Sequence, residues 1–447
     1  MNVVTRIAPS PTGEMHIGTV RTALFNYLFA KHHGGKYIVR IEDTDKERNR
    51  PEWVEAIWRD FEWCGLLPDE RYVQSENLNR HKELLTKLVA DGKAYLSKEP
   101  AKDDPTRTVE VVRLKNPNTR ITFTDLVRGE VSFDTEELKD FVIARAIDDP
   151  LYHFAVVVDD HDEGVTHVLR AEEHLSNTPR QILILEALGF ERPTYGHFPL
   201  ILAADRSKLS KRKHSASVEH YRAEGYLPEA MVNYLALLGW NPGTDQELFT
   251  LEALIASFDM EKVHKAGAVF DPEKMKWFNR EYLLRMPDAA FEREAIEFLR
   301  AGLAERNITV HEEIARRIMP VIKERIALWS DLVRSVGEGE YDFFFADPAI
   351  IAEKLPDKRS DAAAAYTYLS HVREELEKLE IVTEETVQKA LWDYAPEHGR
   401  AAVLWPLRYA LTGREKSPSP FVVAGVIGKT VTLRRVEAAM TALTKAS

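Results

Sequence analysis

Two short segments, Met15-His16-Ile17-Gly18-Thr19 and Lys208-Leu209-Ser210-Lys211-Arg212, stand far apart in a chain of 447 residues, yet their residue types suit the two halves of one triphosphate site. A helix start offers unpaired N–H groups and a positive dipole end. An imidazole and small residues placed there can surround a phosphate, with His16 donating and Gly18 giving clearance beside Thr19. The second segment brings two ammonium groups and a hydroxyl, and Arg206, Arg212 and Lys213 raise it to five basic side chains between 206 and 213, opposed by Asp205. Preorganised cations of this kind stabilise charge that grows on a polyphosphate during reaction. Each segment alone is a weak signal, since short words recur by accident and a basic run is commonly a solvated face. Their order and setting make the joint case.

The setting is an alternation of strands and helices. The apolar run Val3–Ala8, the breakers Pro9-Ser10-Pro11-Thr12-Gly13 and the amphipathic stretch Ile17–His33 predict strand, tight loop and helix start. A second strand, Lys36–Ile41, delivers Glu42-Asp43-Thr44-Asp45 at its carboxyl end, where open α/β sheets place functional groups; capping the helix from Pro51 is the other use for these carboxylates. After a helix over Leu78–Asp91, the stretch 95–149 turns alternating and β-rich, with Val109–Arg113 and Arg128–Phe133 read as antiparallel strands. The α/β pattern then resumes with a helix over Leu151–Asp160, a strand over Val165–Arg170, a helix over His174–Gly189 and a strand over Phe198–Leu202. From Val218 onward the period is helical, with Tyr221, Tyr226, Leu227, Met231, Tyr234, Leu235 and Leu238 as core, and breakers at Asn241-Pro242-Gly243 and Met286-Pro287-Asp288.

Composition bounds the rest. A net charge of −12 argues against a uniformly basic nucleic-acid coat, although residues 400–447 carry eight Lys or Arg against Glu415 and Glu437. That local excess serves either a phosphate-facing surface or a solvated helical face. With 44% apolar and 30% charged residues and no long apolar run, no membrane anchor is expected, and the absence of a signal-peptide pattern leaves the cytoplasm as the expected location. The single cysteine, Cys64, ends a helical pattern and reads as buried filler. Fifteen histidines occur without a Cys pair or a His-Glu-x-x-His, and His32-His33 close a helix, so no structural zinc and no protein-bound metal are expected.

Arg6-Ile7-Ala8-Pro9-Ser10-Pro11-Thr12-Gly13, Ile41-Glu42-Asp43-Thr44-Asp45, Val157-Val158-Asp159-Asp160-His161, Leu169-Arg170-Ala171-Glu172-Glu173-His174, Lys208–Arg212 and Pro406–Gly413 occur in one order, and with them the chain closely resembles bacterial glutamyl-tRNA synthetases, nearly end to end. The resemblance implies an α/β Rossmann-type catalytic domain (1–94 and 151–214) split by a β-rich acceptor-binding insertion (95–150), followed by an all-α stem-contact domain (215–300) and an anticodon-binding region (301–447). It implies ATP as substrate with Mg²⁺ held through the phosphates, and L-glutamate and tRNA(Glu) as the other partners of a monomer. His16 and Lys211 would be catalytic, and His16, Gly18, Thr19, Glu173, Lys208, Ser210 and Lys211 would bind ATP. Arg6, Ala8, Ser10, Glu42, Tyr152 and Arg170 would hold glutamate, with Glu42 on the α-ammonium and the arginines on the side-chain carboxylate, which a planar guanidinium meets with paired hydrogen bonds. Arg325 and Arg408 match positions at which the family tends to read anticodon bases. The insertion is shorter than the family norm, and the cysteine-bearing zinc knuckle of some members is absent from Tyr95-Leu96-Ser97-Lys98.

Three other readings share some of these features. A glutamyl transferase that modifies a tRNA base would lack the helical C-terminal third. A glutaminyl-tRNA synthetase would end in β-barrels. A non-catalytic tRNA-binding paralogue would carry degraded motifs, whereas His16, Lys208 and Lys211 are intact.

Overall fold

Continuous apolar runs, rather than alternating ones, are what strands buried on both faces require. The computed structural model, which describes residues 3–45, 47–101, 104, 106–209 and 216–446, has such strands at the centre of its first unit. The chain divides into two compact units, Met1–Asn279 and Arg280–Ser447. In the first, the strands in chain order are β1 (Val4–Ile7), β2 (Lys36–Ile41), β3 (Glu70–Val73), β4 (Ala94–Pro100), β5 (Thr108–Leu114), β6 (Arg120–Asp125), β7 (Gly129–Asp134), β8 (Phe141–Ala146), β9 (Asp149–Pro150), β10 (His167–Ala171), β11 (Thr194–Phe198), β12 (Ile201–Leu202) and β13 (Ala268–Val269). The main helices between them are α1 (Ile17–His32), α2 (Pro51–Trp63), α3 (Leu78–Ala90), α4 (Tyr152–Asp162) and α5 (Thr178–Leu188).

The main sheet runs β3-β2-β1-β10-β11-β6-β7, parallel throughout except for the β6–β7 hairpin. Strand order reverses between β1 and β10, so a crevice opens at their carboxyl ends, the usual ligand site of open α/β sheets.

The predicted strands near 109–113 and 128–133 both form, but they do not pair with each other. β5 lies between β4 and β8 in a separate four-stranded sheet, whereas β7 pairs with β6, and β6 joins the main sheet where Asp125 meets Tyr195. Alternation tells which face of a strand is buried and not which strand lies beside it. Both pieces share one core, in which Val112, Ile121 and Ile143 meet Phe154, Val168 and Ile182.

Two further expectations shift. The strand predicted at 198–202 is broken at Pro199 into β11 and β12, since proline has no N–H for a ladder. The helix predicted from His174 is a 3₁₀ turn, Glu172–Asn177, followed by α5 with Pro179 in its first turn. Cys64 caps α2 and is buried, and burial pushes its thiol pKa up. Of the core predicted after Val218, Tyr221, Met231, Tyr234, Leu235 and Leu238 are buried, and Tyr226 and Leu227 are half-buried.

Among the described residues the second unit contains helices and no strands. Its longest helical stretch, Pro420–Ala446, kinks at Gly428, where φ is 79°. Half of the eight basic residues in 400–447 are turned inward. Arg408, Arg414, Lys429 and Arg435 donate to backbone carbonyls of neighbouring segments, and buried Arg435 alone reaches Phe343 O and Leu411 O, each at 2.7 Å. Arg400, Lys416, Arg434 and Lys445 stay exposed, Arg434 beside Asp347 at 2.6 Å. No helix among the described residues is long and apolar enough to cross a membrane.

Candidate active site

A cavity of about 570 Å³ occupies the crevice at the ends of β1 and β10. β1 contributes Arg6, and the loop after it Ala8 and Ser10; the start of α1 contributes His16, Gly18 and Thr19. Glu42 enters from the end of β2, Tyr152 from the start of α4, Arg170 and Glu173 from β10 and the turn after it, and Lys208 from the segment following β12. Every candidate for ATP or glutamate among the described residues therefore lines one cavity. Ser210 and Lys211 lie outside the described residues.

His16 is the N-cap of α1. Its Nδ1 accepts the Gly18 N–H at 2.9 Å, which leaves the ring proton on Nε2. The clearance Gly18 provides is first of all for this ring, because a Cβ there would stand 3.0 Å from Nδ1. Backbone hydrogen bonds hold Leu209 and Ala216–Val218, on either side of residues 210–215. Ile17 N donates to Ala216 O at 2.8 Å and Val218 N to Met15 O at 3.0 Å, while Leu209 N donates to Ile201 O at 3.1 Å. Lys208 pairs with Glu173, and both are largely exposed.

The two candidate carboxylate-binding arginines differ in their partners. Arg6 grips Asp160 with Nε at 3.0 Å and Nη2 at 3.1 Å. Burial opposes its charge, but Asp160 outweighs that and raises its pKa. Arg40, fully buried beneath the cavity, bonds Asp160 at 2.9 Å, Glu163 at 2.6 Å and Glu42 at 3.3 Å. Arg170, by contrast, spends Nε on His197 Nε2 (3.2 Å) and Nη2 on Thr178 Oγ1 (3.0 Å), while its buried Nη1 has no hydrogen-bond partner. No carboxylate hydrogen-bonds to it among the described residues, and burial lowers its pKa. A buried, uncompensated guanidinium beside a cavity is what an anionic ligand would satisfy.

Around this centre, burial raises the pKa of Glu42, with Arg40 and Arg6 opposing. Burial and then Arg170 push His174 down to about 4, so it is a neutral acceptor for the Tyr152 hydroxyl 3.3 Å away. Among the described residues no group of three or more His, Cys, Asp or Glu stands ready to hold a metal.

The structure gives roles to residues that were not site candidates, Asp160 of the Val157–His161 motif among them. Asp160 and Arg40 form the ion-pair floor; Asp160 could have been suspected, since it interrupts an otherwise apolar face of α4. Arg21, nearly fully buried in α1, donates to Leu238 O at 3.1 Å and to Pro199 O, and burial pushes it down to about 10. His197 and Asp125 stand behind Arg170 and had no local signal.

In the second unit, Arg325 is partly exposed and donates to Glu340 at 3.3 Å. Arg408 is half-buried. Its Nη1 donates to Ser417 O, Ser417 Oγ and Pro418 O at 2.6, 2.9 and 2.8 Å, which holds the turn after its helix.

Residues 2–103 and 98–277 match the catalytic domain of class I tRNA synthetases (E and Q), and residues 288–440 match an anticodon binding domain. The second match speaks against a transferase lacking the C-terminal third, and the helices of that unit against β-barrels. Among curated proteins, the glutamate–tRNA ligase of Desulforamulus reducens is 37% identical, covering 98% of this chain and 100% of its own length; that of Thermodesulfovibrio yellowstonii is 39% identical, covering 97% and 98%. A crystal structure of a glutamate tRNA ligase from Elizabethkingia meningosepticum in complex with its amino acid superposes with a TM-score of 0.87 at 33% identity, over 99% of this chain and 100% of that one. With both motif segments meeting in one cavity and these similarities running end to end, the chain belongs to the glutamate–tRNA ligase family of class I aminoacyl-tRNA synthetases.

Proposed function

We propose that the cavity joins L-glutamate to ATP as glutamyl-adenylate and then passes the glutamyl group to the terminal ribose of tRNA(Glu), releasing diphosphate and AMP. The observation that carries this reading is the buried Arg170 guanidinium, with no carboxylate partner among the described residues, in the wall of the same cavity as the His16–Gly18 helix start. The glutamate side chain lies on Arg170 and Arg6, with its α-ammonium on Glu42; Tyr152 closes one wall, and Ala8 and Ser10 the other. The α-carboxylate attacks the α-phosphorus in line, and the protein positions reactants and stabilises charge without a covalent intermediate of its own. His16 Nε2–H, Lys208 and Lys211 offset charge on the phosphates, supported by Ser210, Thr19 and Glu173. Mg²⁺ brought in with the nucleotide would be held through its phosphates and would offset their charge. The cavity fits that arrangement, because its two carboxylates, Glu42 and Glu173, already pair with Arg40 and Lys208. Arg325 and Arg408 contact the anticodon arm, and the protein acts as a cytoplasmic monomer.

The direct test is aminoacylation with radiolabelled glutamate, ATP and Mg²⁺ on tRNA(Glu) and tRNA(Gln) transcripts in parallel. Charging of tRNA(Glu) alone marks a discriminating enzyme, and charging of both a non-discriminating one. Charging of neither, with no tRNA-dependent ATP–pyrophosphate exchange, refutes the reading.

Two substitutions probe the nucleotide side. Lys211→Ala should slow adenylate formation roughly 100- to 1,000-fold while leaving the Kd for tRNA unchanged, since its charge is needed most in the transition state. Equal losses in both would remove it from the chemistry. Gly18→Ala should displace the His16 ring and slow the same step by roughly tenfold or more. Single-turnover adenylate formation reads it, and a wild-type rate would show that the ring position is unimportant.

A further inference from the structure

Arg170 is useful to a ligand only if its guanidinium is held in the cavity wall, and three adjacent strands determine how it is held. Arg170 on β10 is the register partner of His197 on β11, and β11 pairs in turn with β6, which ends at Asp125. Asp125 is buried. Its Oδ1 accepts the backbone N–H groups of Val127 (2.9 Å), Arg128 (2.9 Å) and His197 (3.2 Å), so Oδ2 remains for His197 Nδ1, 2.6 Å away. A carboxylate oxygen only accepts, so the imidazole carries its proton on Nδ1. Nε2 is left as a lone pair, and it faces Arg170 Nε and Thr178 Oγ1, each at 3.2 Å, accepting the Arg170 N–H. Thr178 Oγ1 takes Nη2 at 3.0 Å and Nη1 keeps no partner. Protonation of Nε2 would set two donors against each other, and burial, opposed by the Asp125 hydrogen bond, lowers the pKa of His197. The hairpin bearing Asp125 is also fastened here by Arg128, which pairs with Glu172 and donates to His197 O at 3.4 Å.

We propose that Asp125 and His197 are positioning residues for amino-acid selection: together they hold the one imidazole tautomer that fixes the Arg170 guanidinium in the cavity wall for the substrate carboxylate. This inference rests on the reading of Arg170 as the carboxylate anchor.

The decisive substitution is Asp125→Asn. With three backbone N–H groups claiming the amide oxygen, the NH₂ must face His197 Nδ1 and drive the proton to Nε2, against Arg170. In ATP–pyrophosphate exchange with tRNA present, KM for glutamate should rise roughly tenfold or more while KM for ATP stays within about twofold. His197→Gln keeps an acceptor whatever residue 125 is, so it should stay within about threefold of wild type for glutamate, and Asp125→Asn added to it should have no further effect. An unchanged glutamate KM in Asp125→Asn, or equal rises for glutamate and ATP, overturns the proposal. Should that variant not fold, His197→Gln and His197→Leu decide it: only the glutamine keeps an acceptor, and equal glutamate KM values in the two overturn it. Arg170→Met separates the levels. If it leaves the glutamate KM unchanged, the carboxylate reading itself falls. If it raises KM and Asp125→Asn does not, only the relay falls.

Discussion

Arg170→Met should lower kcat/KM for glutamate roughly 30- to 5,000-fold, the range for removing one partner of a desolvated charge pair worth about 2–5 kcal/mol. The preference for glutamate over glutamine should shrink with it, because glutamine brings no charge for the guanidinium to meet. The same substitution should leave the unfolding midpoint equal to or above wild type. In the free protein Arg170 is buried with one nitrogen unpartnered, so it spends folding stability on a ligand that is absent. Steady-state kinetics with both amino acids and a thermal melt check the two halves. Lost activity with a markedly lowered midpoint would recast Arg170 as a structural residue.

At Arg40 the same exchange should do the reverse. Arg40→Met removes a fully buried cation that holds Asp160, Glu163 and Glu42 at 2.9, 2.6 and 3.3 Å, leaving buried carboxylates short of compensation. The expected loss is about 3–5 kcal/mol of unfolding free energy near pH 8. The pH dependence follows from sign. Burial holds Glu163 up at about 8 even with Arg40 present, so the pH dependence rests on Glu42 and Asp160: without Arg40 their folded pKa values rise, and the penalty is present above those raised values and relieved as pH falls through them. Urea unfolding at pH 8 and pH 5.5 should therefore show a gap from wild type that narrows in acid. A gap that is absent at pH 8, or that widens in acid, would mean the cluster does not depend on Arg40.

The pairing of these two arginines shows where local information ends. Both sit in β-strands with similar apolar neighbours, and nothing within several residues marks one as spent on carboxylates and the other as held in reserve. The helix start at His16, the strand end at Glu42 and the basic loop at Lys208 were legible because each depends on a few consecutive residues: a cap, a breaker, a switch from alternating to helical period. The shared cavity was legible only through the ordered motifs, not through periodicity. Likewise the helical C-terminal third could be read from its period, but the inward turn of Arg408, Arg414, Lys429 and Arg435 could not.

The sequence by itself therefore determined the elements, their caps and the chemical types at the cavity. Tertiary structure alone decided the partners: Arg6 with Asp160 across 154 residues, His197 with Asp125 across 72, and a hairpin from the insertion built into the main sheet. The physical reason is that capping and periodicity are properties of adjacent residues, whereas the match of a buried charge to its counter-charge is set by which strands and helices pack together, and packing is settled by the whole core at once.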